Sequence, residues 1–188
     1  MNILLYGGPL TRLWKGYPLP TLLRLAVLIL HSPPCQPVDV ILSYSHLSLQ
    51  NATFSKFVPL FRDYAKVGQL LTASPMSMGL LSSLPPPWHP APPELKAIVS
   101  RVQDVWPSKL PNLALGYSIR NTAQGNVPLV VGFSHPDEVL EAVRVWWEVQ
   151  RGLGSEERIK VEEEVRTAFR NAGFLDWSWA SGSPIDST

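Results

Sequence analysis

The chain has 188 residues, 45% of them hydrophobic and 16% charged, which is the size of one globular domain and too apolar for disorder throughout. Sixteen basic against fifteen acidic groups leave a formal charge of +1, so no concentrated basic face draws nucleic acid or an anionic membrane, and a small molecule or another protein is the expected partner. The lone cysteine, Cys35, excludes an intrachain disulfide and a cysteine-built zinc site and points to a reducing compartment, the cytosol.

From Pro18 to Leu30 the apolar run is too short for a membrane span and carries Arg24 in its middle. Helical spacing puts Leu22, Leu25, Ala26, Ile29 and Leu30 on one stripe, so a buried amphipathic helix stopped by Pro33 and Pro34 is expected. Val38 to Leu42 reads as a strand buried on both faces. Phe54, Phe57, Val58, Leu60, Phe61 and Tyr64 recur at helical spacing between Thr53 and Val67, with Gly68 as the expected C-cap. A second strand, Gln69 to Ala73, runs into Ser74-Pro75-Met76-Ser77-Met78-Gly79, a loop of turn-formers and small residues. Helices are predicted over Glu94–Trp106 and Leu110–Arg120, a strand over Pro128–Val131, and a helix over Pro136–Gln150 that Pro136, Asp137 and Glu138 start. Ser155 opens a charged helix through Phe169, read as a solvated face. The tail Leu175–Trp179 either docks on the domain or reaches over a site mouth, docking being the preferred reading.

Strands alternating with helices at this spacing imply a parallel sheet and an α/β domain. Three predicted strands would leave bare edges and one uncovered face, whereas a closed barrel needs about eight, so the chain reads as part of a barrel. Residues 1–15 form a segment apart, 16–150 the half-barrel, and 151–188 a C-terminal helix and tail.

No self-contained catalytic motif is present. The four histidines have no metal-ligand spacing, no metal site is expected, and no nucleophile elbow, Walker loop or dinucleotide fingerprint occurs. Pro85 to Pro93 could be a polyproline ligand for a partner domain, but its place after a strand favours a stiff loop over a barrel mouth. Two stretches bear on ligand binding. Val130 to Glu138 runs from a strand through Gly132 and Ser134 to a helix N-terminus, and the loop beginning at Ser74 also puts small residues just past a strand. In a parallel barrel both lie at the C-terminal face, where the last loops often hold a phosphate.

At these residues the chain resembles the aldo-keto reductases, and within them the L-galactose dehydrogenase and fungal D-arabinose 1-dehydrogenase group. The resemblance is carried by Asp39-Val40-Ile41-Leu42-Ser43-Tyr44-Ser45-His46, Thr72 to Leu81, Pro86-Pro87-Trp88-His89-Pro90-Ala91, Leu113 to Ser118 and Val130 to Ser134, in order and spacing, over about Gly16 to Trp147. It implies the C-terminal half of a (β/α)8 TIM barrel that binds a nicotinamide dinucleotide, NAD or NADP, without a Rossmann domain and oxidises an aldose such as D-arabinose or L-galactose at C1 to the lactone. By the resemblance, Ser74, Met76 and Met78 line the pyrophosphate largely through backbone atoms, Gly132, Phe133 and Ser134 surround the adenosine ribose, and Glu138 and Glu141 face the adenosine end. The loop carrying Trp88 and His89 covers the sugar. Gly132 stands where members that prefer NADP usually have a basic residue, which favours NAD.

The family's catalytic aspartate, tyrosine, lysine and histidine come from the other half of the barrel and have no counterpart here. No catalytic residue is therefore assigned, and the chain alone is expected to be inactive. The alternatives are a non-catalytic nucleotide-binding remnant or a protein-interaction module, with self-association through exposed strand edges.

Overall fold

The computed structural model describes residues 6–8, 11–16, 18–107, 109–152 and 155–179. The rest of the segment 1–15, and the chain beyond residue 179, lie outside the described residues. The elements in order are β1 (Tyr6–Gly8), β2 (Thr11–Gly16), α1 (Leu19–Leu30), β3 (Val40–Tyr44), α2 (Phe54–Pro59), β4 (Gln69–Ala73), α3 (Pro93–Arg101), α4 (Lys109–Gly125), β5 (Leu129–Val130), α5 (Pro136–Gln150) and α6 (Ser155–Asn171).

The strands form one sheet in the order β1-β2-β3-β4-β5. β2 to β5 are parallel neighbours, and β1 pairs antiparallel with the outer edge of β2. Parallel strands placed side by side in chain order are the arrangement of part of a (β/α)8 barrel. Reading residues 11–16 as a strand corrects the three-strand expectation. What places it in the sheet is pairing with Val40–Ser43, which lies far away in sequence.

The side-chain period of two sorts the faces. Ile41 and Leu70 are fully buried, and they share a core with Leu22 and Ala26 of α1 and with Phe54 and Phe61. Each such large apolar side chain contributes about 1.5–3 kcal/mol. Their neighbours Val40, Leu42, Tyr44, Leu71 and Ala73 point the other way and are only half-buried. β3 was expected to be buried on both faces; helices cover one face, and the other is the concave side that a closed barrel would fill. A second core joins α3, α4, α6 and the tail through Leu95, Val99, Leu113, Val165, Phe169 and Trp179.

Three local expectations are corrected. The helix expected to run from Thr53 to Val67 is α-helical only to Pro59, then continues as a π-helical turn, Leu60–Tyr64, with Ala65 N donating to Leu60 O at 2.9 Å. Pro59 has no N–H to donate and its ring crowds the preceding turn, so the wider register follows. Phe54 and Phe57 each still meet Phe61, with ring centroids 6.2 Å apart.

Gly68 is not the left-handed cap: Lys66 takes that conformation at φ 55°. Gly68 is needed for closeness instead, since a Cβ there would lie 3.0 Å from the Asp39 carbonyl oxygen.

The charged helix α6 is not solvated all round. Arg158 and Glu162 are 3% and 1% exposed, Glu162 pairs with Arg120, and Arg158 donates to Asn112 O at 3.1 Å and to its Oδ1 at 3.0 Å. Gly116 on α4 makes the room, because a Cβ there would collide with the Arg158 guanidinium. Burial pushes the Glu162 carboxyl up, against the pull of Arg120.

Candidate functional site

β4 and β5 end side by side, with Ala73 opposite Val130, so the two loops singled out from the sequence leave the sheet as neighbours. The loop after β4 is tightly wound. Ser74, Ser77, Met78 and Gly79 all lie in the left-handed region, at φ 63°, 49°, 58° and 91°. For residues with a Cβ that conformation costs about 1 kcal/mol or more and persists only when the surroundings enforce it.

Several contacts enforce it. Ser74 O accepts from Ser77 N at 2.9 Å, and Ser74 Oγ accepts from Met78 N at 3.0 Å. Ser77 is buried and donates through Oγ to Ser48 Oγ at 2.7 Å. A Cβ on Gly79 would lie 3.0 Å from Pro86 Cδ. Met78 N–H is thus engaged inside the loop, while among the described residues nothing accepts from the N–H of Ser74 or Met76. These two N–H groups, on either side of Pro75 just past the strand end, are of the kind that backbone anion sites use.

The loop after β5 is open. Nothing lies within 4 Å of a Cβ built on Gly132, and Phe133 and Ser134 are exposed. At the start of α5, Glu138 Oε2 accepts from Ser134 N at 2.6 Å and from His135 N at 3.4 Å. These bonds hold the Glu138 carboxyl below its ordinary range, the bond from Ser134 being the main cause. Glu138 therefore already occupies the Ser134 and His135 N–H groups just before the helix, two donors that an anion there would otherwise use. Glu141 is engaged as well: Arg144 Nε donates to its Oε2 at 2.9 Å and Asn112 Nδ2 to its Oε1, and the Arg144 bond is the main cause of its lowered pKa.

Trp88 and His89, adjacent in sequence, have opposite fates. Trp88 is 67% exposed, free to meet a ligand, whereas His89 is 2% exposed and both of its ring nitrogens are used. Nε2 lies 2.9 Å from Ser77 O, and Nδ1 accepts from Ala91 N at 3.0 Å, which assigns the proton to Nε2. Burial lowers the His89 pKa. Its ring meets the edge of Trp179 with centroids 4.8 Å apart, so the tail docks on the domain.

A polar cluster beyond β3 was not singled out from the sequence. His46 is buried, with Nδ1 3.3 Å from Ser43 Oγ, and burial lowers its pKa to about 4 against the opposing pull of the Tyr44 carbonyl and Asp176. Gln50 and Asn51, also buried, donate to the tail carbonyls of Phe174 and Asp176 at 2.6 and 3.2 Å. The alternation of polar residues through Ser43, Ser45 and Ser48 was the available signal, but it does not distinguish a buried cluster from a solvated loop.

Lys15, Leu42 and Leu71 share a row across the sheet on its concave side. Behind β5, an apolar cleft of about 460 Å³ opens between α4 and α5, lined by Leu115, Ile119, Leu129, Val139, Val143 and Trp146 among others. Among the described residues no three His, Cys, Asp or Glu side chains come together as metal ligands, and no helix is long and apolar enough to cross a membrane.

No family model matches the chain. L-galactose dehydrogenase of Arabidopsis thaliana is 33% identical to it over 159 residues, covering 82% of this chain and 47% of that enzyme. Over that stretch the chain is similar to L-galactose dehydrogenase, which supports an aldo-keto reductase relationship for the part matched. The chain spans about half the length of the curated relative it matches. Among solved structures, the holo form of an aldo-keto reductase from Bacillus halodurans is 20% identical, with a TM-score of 0.47 over 78% of this chain and 46% of that one. The apo form is 19% identical, with a TM-score of 0.48 over 78% and 47%.

Proposed function

We propose that this chain is the cofactor-holding half of a nicotinamide-dependent aldose dehydrogenase that oxidises a sugar such as L-galactose or D-arabinose at C1 to the lactone. The observation that carries the reading is the pair of neighbouring loops: unengaged N–H groups at Ser74 and Met76 beside an unobstructed Gly132. In this reading the pyrophosphate of a dinucleotide lies against the first loop and its adenosine along Gly132, Phe133 and Ser134, beside Glu138 and Glu141.

The bound cofactor supplies the hydride acceptor. This chain's residues hold and orient it, and the loop bearing Trp88 covers the sugar and excludes water. Acid–base chemistry belongs to residues this chain does not carry, so the chain alone binds without turning over. Glu138, spread over the Ser134 and His135 N–H groups, supports NAD, because a ribose phosphate would meet its negative charge there. The exposed, unpaired Cys35 suits a cytosolic setting.

Titration of the chain with NAD and NADP by calorimetry tests the reading: saturable binding, tighter for NAD and with no aldose oxidation, is expected, and a folded chain that binds neither refutes it. A second reading, association with another chain, is favoured by the exposed apolar side chains Val139, Leu140, Val143, Trp146 and Trp147 on α5. Light scattering after size-exclusion chromatography tests it, a monomer at every concentration counting against self-association.

A further inference from the structure

The contacts that hold the loop after β4 run back, by two separate routes, to the C-terminal segment Phe174–Trp179. The first is polar. Gln50 Nε2 donates to Phe174 O and Trp177 O at 2.6 and 3.0 Å, Asp176 N donates to Gln50 O at 2.9 Å, and Ala52 N donates to Asp176 Oδ1 at 2.9 Å. The segment thereby fastens the turn at residues 48–52. Within that turn, Asn51 N donates to Ser48 Oγ at 3.2 Å, and Ser48 Oγ receives the hydroxyl of Ser77 at 2.7 Å. The second route is aromatic. Trp179 packs edge-on against His89, whose Nε2 reaches the Ser77 carbonyl. Both routes end on Ser77, the first residue of the left-handed run Ser77-Met78-Gly79, where side chains with a Cβ need outside support.

We propose that Phe174–Trp179 is a positioning brace for the loop after β4, holding Ser74–Gly79 in the shape that turns the Ser74 and Met76 N–H groups toward a pyrophosphate. The binding role rests on the cofactor reading above; the bracing of the loop does not. Asp176 and Trp179 act on the loop through Ser77, the first by way of the turn at residues 48–52 and the second by way of His89. A bound pyrophosphate in turn stabilises the braced loop, so release of the tail and loss of the dinucleotide are linked.

The test compares the chain with its Trp179→Ala, Asp176→Ala and Trp179→Phe variants in two measurements: calorimetric affinity for ADP-ribose and for adenosine, and amide hydrogen exchange of residues 74–81. Trp179→Ala and Asp176→Ala are expected to weaken ADP-ribose binding by about tenfold, to leave adenosine binding unchanged, and to speed exchange in 74–81 by about tenfold. Trp179→Phe, which keeps a ring edge against His89, restores both. A merely structural tail would move both ligands together.

Unchanged exchange in 74–81 in a folded Trp179→Ala chain overturns the brace. If the unaltered chain does not bind ADP-ribose, the cofactor reading fails while the exchange result still decides the brace. If the tail variants do not fold, Ser48→Ala cuts the polar route by removing the Oγ that bonds both Ser77 and Asn51 N: faster exchange in 74–81 supports the brace, and unchanged exchange overturns it.

Discussion

Acidification below neutrality should weaken this protein through His46. The ring is buried and its pKa is held at about 4, against 6.5 for an unburied histidine. Above pH 6.5 the residue is neutral in folded and unfolded chains alike, and its contribution is fully present. Below that pH the unfolded chain takes up a proton that the folded chain refuses until about pH 4, so stability is lost as pH falls through this window. At about 1.36 kcal/mol per pKa unit, and allowing for half-titration at the lower end, the loss between pH 7.5 and 4 is about 3 kcal/mol.

The assay is urea unfolding at half-unit pH steps, followed by circular dichroism, for the natural chain and His46→Gln. The variant cannot titrate, so the stability gap between the two chains should narrow by about 3 kcal/mol on going to pH 4. Burial lowers the His89 pKa as well, and that residue is present in both chains, so its effect cancels in the difference. Parallel curves would show that His46 is hydrated or protonated in the folded state, and the reasoning from burial would fail.

Gly116→Ala should destabilise the fold by about 3 kcal/mol, because the new methyl displaces the Arg158 guanidinium from a buried, hydrogen-bonded site; a shift in urea midpoint equivalent to under about 0.5 kcal/mol would refute this. Glu138→Gln removes a charge from the start of α5 and should improve NADP binding relative to NAD by about tenfold in calorimetry, about 1.4 kcal/mol; an unchanged ratio counts against the role given to Glu138. Trp88→Ala should leave the melting temperature unchanged, since the ring is 67% exposed. In the aldose dehydrogenase proposed above, the same change should raise KM for the sugar more than KM for the cofactor, and the opposite pattern would remove Trp88 from the proposed sugar loop.

Elements whose apolar residues recur at a clear period were legible without coordinates. Leu22 and Ala26 in α1 are buried as their spacing requires, and Ile41 and Leu70 sit in the core from the two apolar strands. The candidate loops were legible too, since small residues immediately past a strand mark where a backbone can approach a ligand. Pro59 was visible but not its effect, because the run of phenylalanines keeps a helical period through the π turn. The polar side of α6 was misread for a related reason: Arg158 and Glu162 look like solvated charges until Gly116 and Arg120, on another helix, are placed opposite them.

Periodicity and turn chemistry act between residues a few positions apart, so the amino-acid order by itself determined the βα alternation, the core-facing stripes and the two loops that leave β4 and β5. Only the tertiary structure decided that Thr11–Gly16 pairs with β3, that His89 faces inward while Trp88 faces out, and that Asp176 fastens to Gln50 and Ala52. These contacts join residues distant in sequence, and each becomes favourable only once the fold has met the entropy of bringing its two segments together.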